Sequence, residues 1–186
     1  MTRNNFENLA FKIAKYAAEK YNCCRIQLAN YLTAIAATES RFHEKAENKH
    51  STARGIMQVL ICTQRENEKK RMKAEFAPAM YSCKVYPTEI VSREKDRMFD
   101  PEYSILVASY ELAYQYKRYD DDWNKAVYAY NQGSYPQKSE QKDKDGWTYT
   151  EKVLDNYKPK IFDVAEVTSN NYNKWNYRNY KRIEFY

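Results

Sequence analysis

The chain has 186 residues, enough to close around one hydrophobic core without help from metals or disulfides. With 43% hydrophobic and 16% aromatic residues it is too apolar for a disordered chain, and a net charge of +6 suits an anionic partner. No zinc-finger, RNA-recognition or phosphate-loop signature accompanies that charge, so no nucleic acid is expected.

Only three glycines occur, too few for a strand-and-turn protein of this size, and the expected fold class is mostly α. Cys23 and Cys24 are adjacent and cannot readily bridge each other, while Cys62 and Cys83 lie in a different segment; all four are expected to be reduced. No Cys-x-x-Cys spacing occurs, and His43 and His50 are not placed with the cysteines as zinc ligands would be, so neither a metal nor a cofactor is expected. Residues 1–8 lack the apolar core of a secretory signal, and no run approaches a membrane span.

Phe6, Leu9, Ala10, Ile13, Ala17 and Tyr21 recur at three-to-four spacing and predict a helix over about 5–21. A second helix is predicted over about 26–39, with Ile26, Leu28, Tyr31, Leu32 and Ile35 largely buried and Glu39 at the edge of the core. Residues 61–99 mix charge runs such as Lys69-Lys70-Arg71 with Pro78 and Pro87, and read as a flap, a helix or a solvated loop. Asp100-Pro101-Glu102 is a helix start, with Asp to cap and Pro in the first turn, followed by a helix over 103–117. Asp122 opens a shorter helix over 123–130. The polar stretch 136–146 reads as a mobile loop, and a last helix is predicted over about 149–157 with Tyr149, Val153 and Tyr157 on one face, before Pro159.

Three runs stand out in order: Thr38-Glu39-Ser40-Arg41-Phe42, Gly55-Ile56-Met57-Gln58 and Ala129-Tyr130-Asn131-Gln132-Gly133, with Tyr149 leading the final helix. Each alone is weak, since a Glu at a helix end is usually a solvated surface residue. As an ordered set over about residues 31–163 they resemble the lytic transglycosylases that share a catalytic domain with goose-type lysozymes. That pattern is Glu-Ser-x-Phe, Gly-Leu-Met-Gln, Ala-Tyr-Asn-x-Gly and a tyrosine-led helix. Ile56 replaces the family's usual Leu, and Thr150 stands where the family usually has Val.

The resemblance implies a lysozyme-like domain that cleaves the β-1,4 bond between N-acetylmuramic acid and N-acetylglucosamine in peptidoglycan glycan strands. Protonating the leaving oxygen requires a carboxylic acid still neutral near pH 7, and burial supplies that shift. Glu39 suits it, because Ile35 lies one turn earlier on the same face and Phe42 follows closely. Ser40 is expected to orient the acid or the sugar. Gly55 would let backbone approach the sugar, Met57 would form a pliable apolar wall, and Gln58 would offer a donor and an acceptor to an acetamido group or to Glu39. Tyr130 and Asn131 at a helix end read from the residues alone as a cap with a packed tyrosine. The resemblance adds a Tyr130 hydroxyl near Glu39 or the sugar, an Asn131 that braces the loop, and a Tyr149 hydroxyl lining the cleft.

Ordinary glycosidases use two carboxylates. Here no Asp or Glu occurs between Asn48 and Gln58, and Lys49 stands about where goose-type lysozymes place an aspartate; Glu44 and Glu47 remain as possible second carboxylates. A lone acid suits the transglycosylase route to a 1,6-anhydro sugar. The alternatives are a goose-type lysozyme that hydrolyses the same bond, and a non-catalytic structural protein with this fold. The expected organisation is a domain over 1–163 with its insertion at 61–99, then an aromatic, basic tail over 164–186 that packs on the domain or docks a virion or secretion-machine protein. The expected setting is the periplasm or cell wall, reached through a bacteriophage particle, a holin or a secretion machine.

Overall fold

The computed structural model describes residues 1–72, 97–135 and 144–162. Within them the chain forms α1 (Arg3–Tyr21), α2 (Arg25–Glu39), α3 (Ile61–Glu66), α4 (Pro101–Arg118), α5 (Trp123–Gln132) and α6 (Lys144–Asn156), with no strand among the described residues. The mostly α expectation therefore stands.

Local chemistry sets most of these limits. Thr2 caps α1 by accepting from the Asn5 amide at 3.3 Å, and the helix ends where Asn22 turns left-handed. Asp100 accepts from the Glu102 amide at 3.0 Å with proline in the first turn of α4, and Asp122 accepts from the amides of Asn124 and Lys125 to open α5. Gly133, at φ +79°, closes α5.

The core is organised around α2. Leu28, Ala29, Leu32, Ala34, Ile35 and Ala36 are all fully buried, so the helix is covered on every side through its middle. It packs against α1, α4 and α6, while α5 bridges α4 and α6. Alanines at 10, 14, 17 and 18 of α1 let that helix approach closely. Each of Leu28, Leu32 and Ile35 contributes about 2 kcal/mol by leaving water. Trp123 is sandwiched between Tyr116 (4.0 Å between ring centroids) and Tyr31 (4.9 Å), joining α4, α5 and α2. Beyond α6, Phe162 stacks on Phe11 at 4.0 Å and covers the middle of α1.

The periodic stretches at 5–21, 26–39, 103–117 and 123–130 fall inside helices that run one or two residues further. Two readings change. Residues 144–146 belong to α6 and not to a loop: Gly146 lies so close to the Tyr128 ring that an added Cβ would sit 2.4 Å from it, so tertiary contact recruits a polar stretch into the helix. At the start of the 61–99 segment, α3 runs straight into a π-helical turn over Asn67–Arg71. Of the charge run there, Lys69 and Lys70 stay exposed, but Arg71 does not. Arg71 is buried and donates to Glu111 of α4 at 2.6 Å, while Asn67 donates to the same carboxylate oxygen at 2.7 Å. The rest of the expected insertion, from 73 to 96, the rest of the expected loop, from 136 to 143, and the expected tail from 164 lie outside the described residues.

Candidate active site

Helix α2 stops at Glu39 because the chain reverses immediately after it. Ser40 still donates its amide to Ala36 at 3.1 Å, and Arg41 and Phe42 then adopt left-handed φ of +51° and +64°. The last side chain of the core helix is thereby held at the core's edge, half-buried. Burial raises the Glu39 pKa above the usual carboxylate range, because the anion loses hydration. One hydrogen bond works in the opposite direction: the Tyr149 hydroxyl of α6 donates to Glu39 Oε1 at 2.8 Å. Tyr149 itself is pushed well above its ordinary pKa by burial and by the Glu39 charge, so it stays a neutral donor. Tyr130 of α5 is raised likewise, by burial first and then by the charges of Glu39 and Glu111.

The turn 55–58 lies against this pair. Gly55, at φ +75°, donates its amide to Ala46 at 2.9 Å, and an added Cβ would sit 1.9 Å from the Met98 carbonyl oxygen. Gln58, also left-handed at φ +49°, uses its side-chain amide to donate to the carbonyls of Ala46 and Gly55, both at 3.0 Å. Three contacts tie the turn to the helices. Ser40 Oγ lies 2.7 Å from the Ile56 carbonyl, Tyr130 donates to the Met57 carbonyl at 2.9 Å, and the Met57 amide donates to Ser104 Oγ of α4 at 3.4 Å. Glu39, Tyr149 and Tyr130 thus share one neighbourhood, braced by a turn whose backbone is held at both ends.

The transglycosylase SLT domain family model matches residues 13–152 of this sequence. The chain belongs to that family. Among solved structures it is similar to the 70 kDa soluble lytic transglycosylase of Escherichia coli, at 23% identity and TM-score 0.45 over 81% of this chain and 18% of that one. It is also similar to an inactive mutant of the lytic transglycosylase Slt of Pseudomonas aeruginosa, at 16% identity and TM-score 0.48 over 78% and 22%. The chain spans about a fifth of the length of these proteins. No curated protein sequence matches.

Within this SLT domain the eight residues singled out by sequence fall into distinct positions. Glu39 and Tyr149 are in direct contact, and Tyr130 is close enough to feel the Glu39 charge. Ser40, Gly55 and Gln58 act on backbone: the hydroxyl of Ser40 faces the carbonyls of Ile56 and Ala36 and not the Glu39 carboxyl, and both amide protons of Gln58 are taken. The Gln58 side-chain oxygen is left to accept. Met57, expected as a pliable apolar wall, has its side chain fully buried in the core, and its carbonyl accepts from Tyr130. Asn131 is exposed beyond the end of that cluster, accepting from its neighbour Gln132 at 2.6 Å.

Neither candidate second carboxylate faces Glu39. Glu44 pairs with the N-terminal ammonium at 3.4 Å, and Glu47 is an exposed residue of the bridge opposite Arg54. Sequence reading missed Met98 and Ser104, which contact the turn at Gly55 and Met57 from 43 and 47 residues away in the chain; an isolated buried serine and methionine carry no local signal. Cys23, Cys24 and Cys62 are free thiols, and burial pushes Cys23 up to about 12. Among the described residues no group of three His, Cys, Asp or Glu side chains could hold a metal ion, and no helix is long and apolar enough to cross a membrane.

Proposed function

We propose that this SLT domain is a peptidoglycan lytic transglycosylase in which Glu39 is the acid and base. The observation that carries the reading is the setting of Glu39: a carboxyl whose pKa is raised by burial, and whose hydrogen-bond partner among the described residues is the hydroxyl of Tyr149. An acid so placed keeps its proton to higher pH than an exposed carboxyl does, and is suited to give it up to a leaving oxygen.

Glu39 transfers its proton to the oxygen joining C1 of N-acetylmuramic acid to C4 of N-acetylglucosamine, and the C1–O bond breaks with the electron pair leaving on oxygen. The resulting carboxylate accepts the proton of the muramic acid's 6-hydroxyl as that oxygen bonds to C1. A 1,6-anhydro end forms, no water is consumed, and Glu39 is protonated again. Tyr149 steadies the carboxylate between the two proton transfers, because a hydrogen bond from a neutral donor is strongest when the acceptor is charged. The attacking group belongs to the substrate, so positioning does what a second carboxylate does in other glycosidases. Facing Glu39 are tyrosines and a turn without ionisable side chains, which fits that route. The Gln58 oxygen would accept from an acetamido N–H, and Tyr130 would hold the turn that presents it.

The test is digestion of purified peptidoglycan with the wild-type protein and with Glu39→Gln, reading the muropeptide ends by mass spectrometry. Anhydro ends from wild type alone support the proposal. Hydrated reducing ends would make the domain a lysozyme, and no release from either protein would make it a binding or structural element.

A further inference from the structure

The acid is not the last residue of α2 to be tied to α6. Next to it, Thr38 Oγ1 lies 3.1 Å from Asn156 Nδ2, at the far end of α6 from Tyr149. We propose that Asn156 is a positioning residue, whose bond to Thr38 sets the spacing of α2 and α6 that keeps the Tyr149 hydroxyl on Glu39. This rests on Glu39 being the reacting acid.

Donor and acceptor roles fix the direction of the bond. Thr38 gives its one hydroxyl proton to the Ala34 carbonyl at 2.9 Å, so it can only accept from Asn156. The Asn156 amide nitrogen faces two acceptors, Thr38 Oγ1 and the Lys152 carbonyl at 3.0 Å, and so points inward as a donor. Its backbone carbonyl accepts from Arg3 of α1 at 3.1 Å, while Arg3 Nε pairs with Glu7. Asn156 is therefore a node where α6, α2 and α1 meet.

Geometry makes this node matter for the acid. Residues 149 and 156 are two helical turns apart, about 10 Å along the axis, and so lie on one face of α6. Fully buried Val153 lies between them. The two bonds leave α6 at opposite ends of this face and converge on adjacent residues at the end of α2. Together they fix the spacing of the two helices at this face; with either removed, a single polar tie and the packing of Val153 are left to hold it. The acid's hydrogen bond is sensitive to that spacing, since a shift of a few tenths of an ångström takes a 2.8 Å contact out of its best range.

The groups facing Glu39 make its titration a clean reporter. Tyr149 approaches from α6 and Tyr130 from α5, both neutral at neutral pH; the 55–58 turn carries no ionisable side chain; Glu111 of α4 acts on Tyr130 and is itself paired with Arg71. Loosening the Tyr149 bond removes the one influence that lowers the Glu39 pKa, so the midpoint moves up.

The experiment is carboxyl-carbon NMR titration of Glu39 in the full chain, for wild type, Tyr149→Phe, Asn156→Ala, Thr38→Val, Thr38→Ser and the Asn156→Ala/Tyr149→Phe pair. Thr38→Val removes the acceptor and keeps the shape, so the two sides of the bond are tested separately and one of them failing to fold leaves the other. The proposal expects a higher midpoint in Asn156→Ala and Thr38→Val, a wild-type midpoint in Thr38→Ser, and no further rise when Asn156→Ala is added to Tyr149→Phe. A midpoint that rises in Tyr149→Phe but stays at the wild-type value in Asn156→Ala and Thr38→Val overturns it, as does full additivity in the pair. Release of muropeptides is read in parallel, with kcat expected to fall about three- to tenfold and KM to hold, the factor one ordinary hydrogen bond carries. A wild-type protein that releases nothing sinks the transglycosylase reading alone, because the titration still decides the role of Asn156.

Discussion

Tyr149 and Glu39, 110 residues apart in sequence, are joined by a hydrogen bond of 2.8 Å from the phenol to the carboxyl. Burial and this bond act on Glu39 in opposite directions, and burial is the larger. Burial favours the protonated carboxyl while the Tyr149 hydroxyl favours its anion, a balance suited to a residue proposed both to give and to take a proton.

Replacing Glu39 by Gln removes the acid while retaining an oxygen that accepts from Tyr149. Release of muropeptides is expected to fall by about 10³-fold or more, within the usual contribution of a general acid and base. Circular dichroism should remain that of the wild type. Residual activity within tenfold of wild type would exclude Glu39 as the acid.

The same substitution has a consequence for stability. The folded-state pKa of Glu39 is raised, so between its unfolded and folded values the native protein binds more protons than the unfolded chain. Its contribution is fully present below the unfolded pKa and is lost as pH rises through the folded one. Thermal melts from about pH 4 to pH 8, bracketing the usual carboxylate range, should show the Tm of Glu39→Gln gaining on that of wild type as pH rises. A difference that does not change with pH would show that burial leaves Glu39 unperturbed.

Tyr149→Phe deletes the one bond that lowers the Glu39 pKa. The alkaline limb of the kcat/KM profile, which reports loss of the proton from the acid, is expected to move to higher pH while the maximal rate falls. A limb shifted to lower pH would contradict the hydrogen-bond direction assigned here.

Gly55→Ala meets two obstacles at once, a left-handed φ of +75° and the Met98 carbonyl 1.9 Å from the new carbon. Backbone cannot yield as a flexible side chain does. A loss of about 3 kcal/mol in denaturant unfolding is expected, at the upper end of what one strained residue costs. Gly133→Ala is the comparison: its φ is also positive, but an added Cβ meets nothing within 4 Å, so its cost should be about 1 kcal/mol.

The Arg71–Glu111 pair supplies a stability prediction away from the acid. Arg71→Met leaves the buried Glu111 carboxylate without its cation, and a loss of about 3–5 kcal/mol is expected. Arg71→Met combined with Glu111→Leu should recover most of it, because no buried charge remains. Chemical denaturation of the single and double variants checks both.

The helices were legible in this sequence because their causes are local. Apolar residues at three-to-four spacing, Asp100 before Pro101, Asp122 and Gly133 specify starts and stops through a few residues each. The ordered runs around Glu39, Gly55 and Tyr130 were equally legible, and pointed to the family that residues 13–152 match. What each side chain does there was not. Whether a tyrosine hydroxyl meets Glu39 or a backbone carbonyl depends on how α5 and α6 settle against α2, and it is Tyr149 that takes the acid and Tyr130 that takes Met57. Met57 reads as a pliable apolar wall or as a buried residue of a tight turn, and the turn directs its side chain fully into the core. The first turn of α6 reads as loop because its glycine is explained only by the Tyr128 ring beneath it. Sequence by itself determined where the chain becomes helical and which ordered runs mark the family, since both are properties of short segments. Only the tertiary structure decided the partners, because hydrogen bonds reach about 3 Å and are set by the packing of helices distant in the chain.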